Sequence, residues 1–132
     1  MAQISMSPPM LRLKRSTQSG SKAMTAAWQV VYTENTTSSG TAYLFAGAEI
    51  DLSPMLAGDT INIRIRKVLA PGGAWVVHDQ HQYADAQPVS HPSIHINPIP
   101  DVYGVEIAMQ QPGGVLRNID TEYYDAKRLG LV

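Results

Sequence analysis

The sequence contains no cysteine, which excludes disulfides, thiolate zinc sites and cysteine nucleophiles together and leaves packing as the source of stability. No apolar run approaches the roughly 20 residues that span a bilayer, and the first residues lack the apolar centre of a secretory signal. The expectation is a soluble chain, intracellular when synthesised, with no membrane partner. Charged residues are few, 16% against 44% apolar, yet this balance lies within the globular range and far from that of a disordered chain. Also missing are any amphipathic stretch long enough for a core helix and any repeat of 20 to 50 residues. At 132 residues the chain has room for one core and not two.

The charge that is present is unevenly placed. Residues 1–22 hold Arg12, Lys14, Arg15 and Lys22 and no acid, a charge of +4, whereas the six basic and eleven acidic residues that follow give −5. The division predicts two parts, an extended basic N-terminal arm over residues 1–25 and a sandwich domain over 26–132. The arm has linker-like Ser7-Pro8-Pro9 and Ser19-Gly20-Ser21. Between them Met10, Leu11, Arg12, Leu13, Lys14 and Arg15 alternate apolar and basic side chains, as a strand does when a partner supplies the other edge. These six are the candidate partner-binding residues.

From Trp28 the pattern has period two. Trp28, Val30 and Tyr32 alternate with Gln29, Val31 and Thr33, and the run ends in the turn-rich residues 35–40. Thr41 to Ile50 favours strand, with Gly47 marking a bulge or a close backbone approach. Residues 51–59 read as a crossover between sheets that includes one helical turn. Ile61, Ile63 and Ile65 face one way and Asn62, Arg64 and Arg66 the other, the clearest strand in the sequence. Pro71-Gly72-Gly73 turns into a strand over residues 74–83, pairing antiparallel with the last. Trp75 and Val77 are assigned there to one face, Val76 and His78 to the other. Pro88, Pro92, Pro98 and Pro100 imply a long surface excursion with a short edge strand over 93–96. Tyr103, Val105, Ile107 and Met109 share a face, residues 111–114 turn, and 115–124 return. The pattern specifies an all-β antiparallel sandwich of six to eight strands, Ig-like or jelly-roll, with alternation leaving those two open.

Candidate chemistry is thin. His78, His81, His91 and His95, with Asp79 and Asp85, are the one metal-like cluster, but in a regular strand His78 and His81 project to opposite faces and Pro92 interrupts the other pair. No metal and no cofactor is expected. No serine sits in a nucleophile-elbow context, and Asp120, Glu122 and Asp125 read as a solvated face. The two Pro-Gly-Gly segments are hairpin turns without the context of a phosphate loop, and Asn35-Thr36-Thr37 reads as a turn rather than a glycosylation site. Arg64, Arg66 and Lys67 are read as the charged face of a strand on an acidic body, so nucleic acid is not expected as a partner. The chain is read as a binding or assembly protein and not an enzyme. Tyr43, Tyr83 and Tyr124, as stacking platforms for sugars, carry the alternative of a carbohydrate-binding or adhesin-like module.

Three segments add a resemblance: residues 51–65 with Asp51-Leu52-Ser53 and Ala57-Gly58-Asp59-Thr60-Ile61, the Gly72-Gly73-Ala74-Trp75-Val76-Val77 strand, and residues 103–111. Together they resemble small β-sandwich virion structural proteins of phages and related viruses, the capsid decoration or cement type, over residues 28–125. What the resemblance implies is a shell-stabilising protein on the capsid surface, made in the host cytoplasm. Its partners would be the capsid protein or copies of itself, as a homo-oligomer with a trimer as one option. No family site residues are carried over.

Overall fold

The computed structural model describes residues 14–34 and 42–128, and these form an all-β structure in which every strand pairing is antiparallel. In chain order the strands are β1 (Gly20–Ala23), β2 (Gln29–Glu34), β3 (Tyr43–Phe45), β4 (Ala48–Asp51), β5 (Thr60–Val68), β6 (Trp75–Ala84), β7 (Ser93–Ile96), β8 (Ile99–Asp101), β9 (Val105–Gly113), β10 (Asn118–Tyr123) and β11 (Lys127–Arg128). Hydrogen bonding orders them β1-β10-β4-β7, β11-β3-β8 and β2-β9-β5-β6. The first two groups are one sheet crossing a bend, because β3 and β4, β7 and β8, and β10 and β11 are consecutive pieces interrupted side by side at 46–47, 97–98 and 124–126. Gly47 sits on this line with φ 108°, and a Cβ there would lie 3.0 Å from the Ile96 carbonyl oxygen. Its backbone thus approaches its neighbour more closely than a side chain permits.

With each broken strand counted once, the described residues form two four-stranded sheets, 1-8-3-6 and 2-7-4-5 in chain order. That order decides between the two sandwiches left open by alternation: it is the jelly roll, an eight-stranded double Greek key. The core lies between the sheets. Ile61, Ile63 and Ile65 of β5 and Val105, Ile107 and Met109 of β9 face Phe45, Ile50, Ile119 and Tyr123 from the other sheet, all buried. Tyr32 reaches across, with its ring 5.2 Å from that of Phe45 and 4.8 Å from that of Tyr123. At about 1.5–3 kcal/mol for each large apolar side chain buried, this layer supplies the main drive to fold.

Alternation in β2 fails at one residue. Val30 pairs with Ala108 and Tyr32 with Ile107, so Val31 is the extra residue of a bulge. Val30 is left exposed while Val31 and Tyr32 are both buried. The crossover 51–59 joins the two sheets as expected, but by turns rather than a helical turn. It is anchored by Asp59, which is 1% exposed. Its carboxylate accepts from Leu56 N at 2.8 Å, Val115 N at 3.0 Å and Arg117 Nε at 2.7 Å. These bonds to the ionised form, Arg117 foremost, hold the Asp59 carboxyl below its ordinary range.

Residues 14–24, assigned by charge to the arm, lie on the sandwich. β1 pairs with β10 from Gly20↔Thr121 to Ala23↔Asn118, Met24 is buried, and Arg15 forms a bridge with Tyr124. The Gln18 side chain caps the edge of β2, accepting from Thr33 N at 2.9 Å and donating to Thr33 O at 2.9 Å. The chain therefore joins the body well before residue 25.

Gly114, with φ 86°, is where Asp59 packs closest: a Cβ there would stand 2.6 Å from the Asp59 Cα and closer still to its carboxylate. Gly114→Ala is expected to cost roughly 1–3 kcal/mol through left-handed strain alone, with the clash added. Urea unfolding midpoints for the two proteins measure it.

Candidate functional site

A jelly roll has two lateral margins, and the concave site lies along one of them. There β6, the last strand of one sheet, faces β7 and β8, the last strands of the other. Between them runs a groove of about 280 Å³. Ile63, Ile65, Ile94, Ile96 and Ile99 contribute apolar side chains, and His78, Asp79, His81, Tyr83, His95 and Asn97 supply polar groups.

The polar wall is set by register. Ile61, Ile63 and Ile65 pair with Tyr83, His81 and Asp79, so these three lie on the inward side of β6. On a central strand they would be buried, but at the margin Asp79 and His81 remain exposed and Tyr83 is half-buried. Arg66 pairs with Val77, which leaves His78 as the extra residue of a bulge. The bulge shifts the alternation, and His78 lines the same groove as His81 instead of pointing away from it.

His81 Nε2 lies 3.1 Å from Asp79 Oδ2, and His95 Nδ1 lies 3.5 Å from Glu49 Oε1. No group of three or more His, Asp or Glu among the described residues has the geometry to hold a metal ion. His91 is outside the groove on the 85–92 loop, 2.7 Å from the Ser90 hydroxyl. The groove offers exposed strand backbone, hydrogen-bonding side chains and an apolar base, a set suited to recognition. It lacks an aligned nucleophile and base.

Of the candidate arm residues, Met10, Leu11, Arg12 and Leu13 lie outside the described residues. Lys14 and Arg15 are held by the chain itself. The Lys14 carbonyl accepts from Asp125 N at 2.8 Å, and Arg15 Nε lies 3.6 Å from Glu122 Oε2 in an exposed pair worth at most about 1 kcal/mol. The other cations considered are also engaged. Arg64 stacks 4.2 Å above the Trp28 ring, Arg66 Nε donates to Glu106 at 2.8 Å, and Lys67 Nζ donates to Pro100 O at 2.8 Å. Tyr83 lines the groove, whereas Tyr43 and Tyr124 belong to the other sheet, and no ring contact joins the three among the described residues.

A second cluster escaped the sequence reading. At the far end of the core, Glu34 of β2 and Asp101 of β8 are both buried and face each other between the sheets. Two ionised carboxylates have no proton to share, and neither Asp101 oxygen has another donor. A proton on Glu34, donated to Asp101, satisfies both. Burial first, then the bond to Asp101 and its charge, push the Glu34 carboxyl from 4.5 up to about 8, against the Tyr32 hydroxyl that donates to it at 3.0 Å. No sequence signal links residues 67 positions apart.

No helix among the described residues is long and apolar enough to cross a membrane. No protein-family model matches the chain, and no curated protein is significantly similar to it. It is similar to the solved structure described as "Crystal structure of PirA", with a TM-score of 0.51 and 16% identity, covering 83% of this chain and 95% of that one. At that identity the likeness speaks for the fold alone.

Because Glu34 binds its proton more tightly folded than unfolded, the stability it provides is present below about pH 4.5 and is lost as pH rises toward 8. Melting temperature should fall across that interval. Glu34→Gln, which still donates to Asp101 but does not titrate, should flatten the slope; an unchanged slope would place the titrating group elsewhere.

Proposed function

We propose that this protein is a virion structural protein of the capsid decoration or cement type, a non-enzymatic jelly roll that binds a shell and its own copies through an N-terminal arm. The supporting observation is the way residues 14–24 hold the sandwich. They add β1 to β10, bridge Arg15 to Tyr124 and bond the β2 edge at Thr33 through Gln18. The segment immediately upstream continues the apolar and basic alternation, so strand addition by residues 1–13 to a partner is the same interaction carried outward. The eight-stranded jelly roll suits the role, being a fold used for shells as well as for lectins. The body keeps a net negative charge and uses its strand cations internally, in line with a protein partner rather than a nucleic acid. Symmetric assembly multiplies such weak contacts into a stable shell.

The competing reading, a carbohydrate-binding module, is favoured by one observation: Tyr83, His81, Asp79 and Asn97 line one apolar groove. Glycan binding that persists without residues 1–13 would support it.

Removing residues 1–13, rather than 1–25, should leave the strand spectrum intact and the melting temperature within a few degrees, since no pairing of the described strands is lost. The same deletion should abolish self-association and binding to shells, measured by sedimentation. Undiminished association would overturn the proposal.

A further inference from the structure

The two margins of the sandwich are treated differently. At one, residues 14–24 tie the two sheets together: they end in β1, the last strand of one sheet, and Gln18 bonds both backbone groups of Thr33 in β2, the edge strand of the other. Among the described residues the opposite margin is open: β6 pairs with β5 alone, β7 with β4 and β8 with β3. Residues 76–82 of β6 are exposed along their length, and Ile94 and Ile96 are only partly buried beside the core. A long unpaired edge beside a groove with an apolar base is a template for one more strand.

We infer that this open margin, the β6 edge with the groove beneath it, receives the N-terminal arm of a second copy of this chain, residues 8–13 adding as a strand. The inference rests on the assembly reading above and names its receptor. The location of the arm's root supports it. Lys14 and Arg15 lie at the β10 and β11 end of the closed margin, three strand spacings from β7, or about 15 Å. Thirteen residues reach about 40 Å when extended, enough to leave one subunit and lie along the next. Arm at one margin and receptor at the other make a head-to-tail contact, which closes into a ring or extends along a surface.

Charge and shape favour this occupant over pairing of β6 with itself. Asp79 points inward at the centre of the edge and the bulge at His78 bends it, two features that oppose edge-to-edge pairing of identical strands. A second β6 would bring its own Asp79 beside the first, whereas the arm carries no acid. No Lys or Arg among the described residues lines the groove, and Glu49 adds negative charge beside His95. Added as a strand with Arg12 outward, the arm would offer Leu11 and Leu13 to the partly covered Ile94 and Ile96.

The absence of native cysteine makes the test clean. Full-length Leu11→Cys is mixed with full-length His81→Cys or, as control, with Asp120→Cys on the outer face of the other sheet, and each mixture is oxidised under native conditions. Circular dichroism first verifies that each variant is folded. A disulfide-linked heterodimer with His81→Cys, at least about tenfold above the control and reduced at least about tenfold by adding Asp79→Lys to the receptor chain, is the expected result. Equal linkage at both positions, or none at His81 while sedimentation still shows arm-dependent oligomers, overturns the receptor and leaves the arm's role standing. A full-length chain that remains monomeric overturns the second-copy receptor. Oligomers indifferent to loss of residues 1–13 overturn the assembly reading itself.

Discussion

A strand at the edge of a sheet leaves every second amide and carbonyl facing outward without a partner, and a two-layer sandwich has four such edges. The arrangement of this protein follows from how they are managed. On one side Gln18, a few residues before the edge strand β1, bonds across to Thr33 of β2 and so ties two of those edges together, using a segment whose composition resembles a linker more than a strand. Nothing comparable among the described residues closes β6, so its inward side chains are wet and the isoleucines of β7 are half covered. The groove is thus a consequence of topology: the eight-stranded order places β6 and β7 last in their sheets and opposite one another.

Much of the fold was legible because period two is a local property. Ile61, Ile63 and Ile65, the Gly72 turn, the edge strand at 93–96 and the close approach at Gly47 are each specified by a few neighbouring residues. What was not legible depends on register. Val31 and His78 are each one residue too many for the strand opposite, and a one-residue insertion reverses the facing of everything beyond it. The candidate site turns on that effect, since alternation separates His78 from His81 and the bulge reunites them along one groove. The Glu34 and Asp101 pair and the Asp59 anchor are long-range in the same sense, each joining elements far apart in the chain.

The charge boundary at residue 22 also differs from the structural one. Composition divides a cationic segment from an acidic body, yet Lys14, Arg15 and Lys22 belong to residues that pair with that body. Strand addition is decided by backbone hydrogen bonds and a place for alternate side chains, and net charge only biases it. Among the described residues, the cationic segment therefore belongs to the sandwich from residue 14 onward.

The most direct test of this account is backbone amide hydrogen exchange of the full-length protein as a function of its concentration. If the open margin is filled by a neighbouring arm, amides across β6 slow markedly as concentration rises, while those of β2, at the opposite margin, do not change. Exchange in β6 that stays fast while the mass of the assembly increases would contradict it.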